Sequence, residues 1–330
     1  MPHAPFAPLI AFAVTLIAVG WLVRSRLALF AMDRPNERSL HKQPIPRSGG
    51  LGLHAGILLA WPVSGAASPA IVWVCVLGLL AVSLIDDIRG LPVLVRLAAH
   101  LMASSTIAAL VLFPTHGLVV ACIATLGMTW MINLYNFMDG ADGLAAGMAF
   151  FGFGFYGVAA WHAGSADFAL FYFSIAAAAI AFLLFNFHPA RIFMGDAGAV
   201  PLGFLAGAMG IIGWLRQDWA WWFPLLVFSP FIVDASVTLV RRAASRARIW
   251  EAHRDHYYQR LVRMGWGHSR AALAEYVLMA ICGSAALAGL RWPHSEQVVL
   301  LLAAAAFYIV LGIVVEFAWR RYRTAPGNNV

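Results

Sequence analysis

The chain has 330 residues, of which 62% are hydrophobic and only 11% charged, and its formal net charge is +7. Soluble domains carry about 25% charged and about 45–50% apolar residues, so the composition excludes an ordinary soluble fold and points to a bilayer. The length alone would suit two domains at about 150 residues each, but the apolar sequence runs from end to end, and we read residues 1–330 as one integral membrane domain.

Apolar stretches of about the length that crosses a bilayer recur along the chain. We place eleven, at 5–23, 51–65, 70–85, 96–113, 117–134, 144–162, 167–185, 199–214, 220–238, 271–290 and 297–318. The expected fold is therefore all-α, a polytopic bundle of about eleven transmembrane helices. The first run has no basic segment before it and no clear cleavage site, so it is expected to be a retained helix rather than a signal peptide. Cys75, Cys122 and Cys282 lie in apolar runs without paired spacing, and are read as packing residues.

Orientation follows from Lys and Arg placement. With the N-terminus outside and the C-terminus cytoplasmic, all of the 22 Lys and Arg residues except Arg216 and Arg291 fall on the inside. Basic charge spread over membrane-flanking loops is what topology requires, which argues against a nucleic-acid partner. The polar sequence gathers in the inner loops 24–50, 86–96, 135–143, 186–198 and 239–270, so a reaction centre is expected on the cytoplasmic face.

The first inner loop contains DRPNERSLHKQPIPRSGG, broken by Pro and Gly, in which Lys42 and Arg47 are candidate phosphate ligands; the competing reading is a topogenic loop. Asp86 and Asp87 end the third span in SLIDDIRGL. Adjacent carboxylates at a bilayer edge are tolerable when a cation or proton sits between them; they read as a general base with a Mg²⁺-linked partner, or as a helix end facing water.

Asn133, Asn136, Asp139 and Asp142 follow in NLYNFMDGADGLAAG. Asp139 and Asp142 share a face on a helical turn, and Gly140 and Gly143 let backbone approach a ligand. A cap for the next helix would need one Asp only. Asp196 sits in FNFHPARIFMGDAGAVPLG, where Phe193 is an aromatic in a polar loop, suited to stack on a base. Asp234, two turns before Arg241, ranks below these acids. His253 and His256, in EAHRDHYYQRL, suit a diphosphate, since His and Arg point N–H groups at phosphate oxygens; the competing reading is a basic helix on anionic lipid.

The sequence has no Walker A loop, dinucleotide fingerprint, HExxH or G-x-S-x-G. Four acids from three inner loops remain: Asp86, Asp87, Asp139 (or Asp142) and Asp196. Mg²⁺ takes one or two carboxylates together with substrate phosphates, with Mn²⁺ the alternative ion. Converging acids beside basic donors suit phosphoryl transfer between a lipid phosphate and a soluble diphosphate.

At these residues the chain resembles the polyprenyl-phosphate N-acetylhexosamine-1-phosphate transferase family, or glycosyltransferase family 4, from about Asp33 to Arg270. The resemblance implies that a polyprenyl phosphate such as undecaprenyl phosphate attacks a UDP-aminosugar, giving polyprenyl-diphospho-sugar and UMP. It ties Asp86 and Asp87 to the lipid nucleophile and Mg²⁺, and makes Asp196 a Mg²⁺ ligand. It assigns Asn136, Asp139 and Asp142 to the nucleotide site and Phe193 to the uracil. The His loop goes to the diphosphate and sugar. A homodimer in the bacterial inner membrane is also implied.

Family members often carry HxHH or HHH in that loop, whereas this chain reads HRDHYYQRL. That resembles the branch that starts O-antigen with 6-deoxy-aminosugars such as N-acetylfucosamine or N-acetylquinovosamine; UDP-GlcNAc is the other donor, and MurNAc-pentapeptide fits less well. A transporter or flippase would place its acids near the bilayer midplane, and a dead scaffold would not need every acid.

Overall fold

The computed structural model describes residues 4–25, 30–33, 44–247 and 253–325. Lys42 lies outside the described residues. Among the described residues the regular structure is helical, apart from one two-stranded antiparallel pair, β1 (Met32–Asp33) with β2 (Ile45–Pro46).

The helices are α1 (Ala7–Arg24), α2 (Gly49–Ser64), α3 (Ala70–Arg89), α4 (Val93–Ile107), α5 (Phe113–Met138), α6 (Leu144–His162) and α7 (Ala166–Asn186). They continue as α8 (Asp196–Leu215), α9 (Phe223–Val227), α10 (Ser229–Ala244), α11 (Tyr257–Leu261), α12 (Gly267–Gly289) and α13 (His294–Thr324). Helices dominate because a bilayer offers backbone groups no water, so each segment must satisfy its own N–H and C=O groups.

Among the described residues, eight helices are long and apolar enough to cross a membrane, where eleven spans were expected. The difference has three sources. The run Val93–Met138 counts once, yet Gly117 breaks it with φ 74° and ψ 179°, between the expected spans 96–113 and 117–134. Helix α2 has only 16 residues. The expected span 220–238 is interrupted at Phe228 and resumes at Ser229-Pro230, leaving the short α9 and then α10, which ends in two arginines.

Helices α6, α7 and α8 form the buried centre; 78% of the apolar window of α8 is enclosed, against 6% for α13. Ala and Gly recur along α8, the composition that lets membrane helices approach closely. The α13 surface exposes Val299, Leu302, Ile309, Ile313 and Phe317, a lipid-facing stripe. The ends of α3 and α5, the starts of α6 and α8, helix α10 and the loop before α11 carry the acids and histidines singled out in the sequence, and hydrogen bonds join them to one another and to the end of α7 and the start of α12.

Candidate active site

The site is assembled by backbone pairing between two loops. Phe193 donates its N–H to the Pro46 carbonyl (2.7 Å), and the N–H groups of Gly49 and Gly50 return to the carbonyls of Phe193 (3.0 Å) and Met194 (2.9 Å). Gly195, at φ +71°, lies where a Cβ would meet the Arg47 carbonyl oxygen at 2.2 Å. Only glycine fits that backbone conformation and that approach. The Arg47 loop is thereby fixed against the start of α8.

Asp87 is buried at that junction. Its carboxylate accepts the N–H of Asp196 (3.2 Å) and of Ala197 (3.0 Å), and its Oδ1 lies 3.6 Å from Arg47 Nε. A negative charge at the positive end of α8 satisfies two donors that the helix itself leaves open. Asp86, the preceding residue on α3, has different partners. It accepts the Leu91 N–H (2.5 Å) and Arg96 Nη1 (3.1 Å). The same Nη1 lies 3.6 Å from Asp196 Oδ2. One guanidinium nitrogen thus holds two carboxylates from different helices together.

Asp139 is half-buried at the end of α5, its N–H on the Asn136 carbonyl (3.2 Å). Burial pushes its carboxyl well above the usual carboxylate range, helped by the charges of Asp196, Asp87, Asp142 and Asp33. Asp86, Asp87 and Asp196 therefore meet within a frame of Arg47 and Arg96, and Asp139 lies near enough to feel the charges of Asp87 and Asp196.

Asp142 is placed differently from the other acids. His188 Nδ1 approaches its Oδ2 at 2.6 Å, the Ala190 N–H donates to the same oxygen (3.2 Å), and His268 Nδ1 lies 3.6 Å from its Oδ1. The two imidazoles are parallel within 5°, with centroids 5.1 Å apart. Asn186 ties this loop to the next: its Oδ1 accepts the Gly143 N–H (3.1 Å), and its Nδ2 donates to the Ile192 carbonyl (2.9 Å).

The histidine loop is organised by Asp234, the acid that the sequence ranked lowest. Buried in α10, it accepts the N–H groups of Tyr257 (2.9 Å) and Tyr258 (3.1 Å) and the Thr238 hydroxyl (3.1 Å), and faces His256 Nδ1 at 3.2 Å. Tyr258 in turn donates its hydroxyl to the Phe137 carbonyl (3.3 Å). A Cβ on Gly140 would collide with that hydroxyl at 2.2 Å, so the DG-x-DG glycine admits the histidine loop. His253 packs against His256, ring centroids 4.9 Å apart. Burial, with His256 and Arg242, lowers the His253 pKa to about 4.

A groove of about 620 Å³ leaves this centre between α4, α5 and α10. Arg96, Asn136, His253 and His256 line its polar end, and Leu126, ten residues before Asn136 on α5, its apolar end.

The donor set fits a hard divalent cation. Asp86 and Asp196 both present an oxygen to one guanidinium nitrogen, and Mg²⁺ takes oxygen ligands of this kind. Among the described residues, the one grouping of His, Cys and acidic ligand atoms within 4.8 Å of one another is Asp142, His188 and His268. Sequence reading missed Arg96 as more than a topogenic charge, and missed His188, His268 and Asn186. The signal for His188 and Asn186 was present in FNFHPAR, where both interrupt an apolar run.

A family model, glycosyl transferase family 4, matches residues 69–214. The chain is 31% identical to the decaprenyl-phosphate N-acetylglucosaminephosphotransferase of Mycolicibacterium smegmatis, over 93% of this chain and 87% of the relative. It is 27% identical to the probable undecaprenyl-phosphate N-acetylglucosaminyl 1-phosphate transferase of Bacillus subtilis, over 82% and 81%. Its likeness to the phospho-N-acetylmuramoyl-pentapeptide-transferase of Geobacillus kaustophilus, at 33%, covers only 44% of each chain. With a relative this similar along nearly the whole chain, the protein belongs to the polyprenyl-phosphate N-acetylhexosamine-1-phosphate transferases of glycosyl transferase family 4.

Proposed function

We propose that the protein transfers an N-acetylaminosugar-1-phosphate from a UDP-aminosugar to undecaprenyl phosphate, releasing UMP, on the cytoplasmic side of the bacterial inner membrane. The observation that carries this reading is Arg96: it holds Asp86 and Asp196 on one side and lines the apolar-ended groove on the other. A lipid phosphate entering along that groove reaches the acids head first.

In the reaction, an oxygen of the lipid phosphate attacks the phosphorus that carries the sugar. The bond from that phosphorus to the bridging oxygen of UMP breaks, and UMP leaves with the electron pair. Asp196 and Asp86 would hold Mg²⁺, which supplies neutralisation of charge on the diphosphate; Asp87, expected from the sequence as the ligand beside Asp196, has both oxygens on backbone N–H groups. Asp87 positions Asp196 by holding its backbone N–H. Arg47 and Arg96 neutralise phosphate oxygens, and His253, neutral at pH 7, donates an N–H to them. Asp139, with its raised pKa, stands on the donor side as the group that exchanges a proton with the departing phosphate or its water. Asn136, Asp142 and Phe193 form the nucleotide side, the half-buried phenyl of Phe193 stacking on uracil.

The donor is a GlcNAc or 6-deoxy N-acetylaminosugar nucleotide, the shortened histidine motif favouring the latter, and the product starts O-antigen or another cell-envelope polysaccharide. The test is UMP release by purified protein in detergent with undecaprenyl phosphate, Mg²⁺ and a panel of UDP-aminosugars, with and without EDTA. UMP formed with one donor and abolished by EDTA supports the reading. Equal signals from the wild type and Asp196→Ala would refute it.

A further inference from the structure

The groove between α4 and α5 stays polar further from the acids than its apolar end requires. On α5 its wall runs Asn136, Asn133, Thr129 and then Leu126, so the polar part extends seven residues, about 10 Å, along the helix axis. On α4 the matching wall is Arg96 and then His100, one turn on.

His100 is 4% exposed and Thr129 8% exposed. Neither His100 Nδ1 nor Thr129 Oγ1 has a hydrogen-bond partner among the described residues. The Thr129 case is the sharper one. A helical threonine ordinarily returns its hydroxyl to the carbonyl four residues back, as Thr125 does to Ala121 on the same helix (2.9 Å). Thr129 does not, and its own carbonyl is taken by the Asn133 amide (2.7 Å). Asn133 also reaches the His100 ring.

A buried polar atom left without a partner is costly, and more so at membrane depth. The groove is lined by an arginine, amides, a hydroxyl and imidazoles, and by no Asp or Glu. Its chemistry therefore suits an anion with an apolar tail. Elsewhere the contrast is plain: the slot between α12 and α13 is lined by the carboxyls of Asp234 and Glu275 and by no basic side chain.

We propose that His100, Thr129 and Asn133 form a shelf that receives the phosphate head of a prenyl phosphate about one to two turns short of the carboxylate cluster, before Arg96 passes it to the reaction centre. This rests on the acceptor assignment above and adds a docking position to it. The three are positioning residues that act on the acceptor alone. Their removal changes the acceptor KM and leaves the donor KM in place.

The test is calorimetric binding of farnesyl phosphate to the full chain in detergent, with farnesol as the uncharged control. The wild type should bind farnesyl phosphate and bind farnesol at least tenfold more weakly. Thr129→Val, which keeps the side-chain shape, and His100→Phe should each weaken farnesyl phosphate binding by about tenfold, as the loss of a hydrogen bond to a charged group does. His100→Gln should restore it to within about threefold. In the transfer assay the KM for undecaprenyl phosphate should rise by a similar factor, with the KM for the UDP-sugar within about twofold of the wild type. Equal binding by wild type and Thr129→Val, equal affinity for farnesol, or no binding by the wild type would each overturn the shelf. Binding that depends on Thr129 and His100, with no UMP from any donor, would leave the shelf standing and remove the transferase reading instead.

Discussion

Asp87 holds the backbone of Asp196: its carboxylate accepts the N–H groups of Asp196 and Ala197, at 3.2 and 3.0 Å. An acid on α3 therefore sets the position of an acid on α8, and the two are expected to fail differently. Asp87→Ala leaves two backbone N–H groups, one buried and one half-buried, without an acceptor and Arg47 without its partner. It should cost about 2–3 kcal/mol of stability and lower turnover at least a hundredfold. Asp196→Ala, whose side chain is the more exposed of the two, should lower turnover as far with little change in melting temperature. Thermal melts beside UMP-release rates check the contrast; equal melting temperatures for both variants would remove the positioning role of Asp87.

Arg96 competes for the oxygens that Mg²⁺ would take, since its Nη1 lies 3.1 Å from Asp86 and 3.6 Å from Asp196. Arg96→Gln frees both carboxylates and raises the local negative charge. The expected result is a lower Mg²⁺ concentration at half-maximal rate, together with a turnover reduced by about tenfold or more as the lipid phosphate loses its guanidinium. A Mg²⁺ titration of the rate settles it. A variant that needs more Mg²⁺ than the wild type contradicts the competition.

How far the sequence carried this site depends on the residue. Asp86, Asp87, Asp139 and Asp196 stood out because carboxylates at the ends of apolar runs are rare and expensive, and three inner loops offered them one place to meet. The helical class was equally legible from span length. The span count was not: a positive φ at Gly117 and a break before Ser229-Pro230 depend on backbone conformation that hydropathy does not encode. Nor were the partners of Asp142, because His188 and His268 lie 46 and 126 residues away and meet it only through tertiary packing. Asp234 looked peripheral because its work is done on backbone N–H groups of the histidine loop, which leave no side-chain signature. Lys42, in the same motif as Arg47, falls outside the described residues.

Phe193 should discriminate between the two substrates. Its backbone is pinned on both sides, to Pro46 and to Gly49, so a change of side chain leaves the loop in place. Stacking of an aromatic on a base is worth about 1–3 kcal/mol. Phe193→Leu is expected to raise the KM for the UDP-sugar by about tenfold or more while leaving that for undecaprenyl phosphate unchanged, and Phe193→Trp to stay near the wild type. Initial-rate kinetics with each substrate varied in turn provide the check, and a rise in the lipid KM instead would move Phe193 out of the nucleotide site.

His253 gives a pH dependence with a definite sign. Burial first, then the neighbouring His256 and Arg242, lowers its pKa to about 4 in the folded protein, against about 6.5 in an unfolded chain. The unfolded state therefore takes up this proton more readily. The contribution to stability is complete above about pH 6.5 and declines as the pH falls from there toward 4. His253→Gln removes the titration while keeping a neutral N–H donor. Its melting temperature should fall less than that of the wild type between pH 7 and pH 4.5, and its turnover at pH 7 should stay within about threefold. Thermal melts across that range check it, and parallel curves for the two proteins would mean that folding leaves the His253 pKa near its unfolded value of about 6.5. A mixture of neutral and charged imidazole would then face the diphosphate near neutral pH, and the turnover lost in His253→Gln would grow as the pH falls from 7.5 to 6, whereas a permanently neutral donor predicts a loss that does not change with pH.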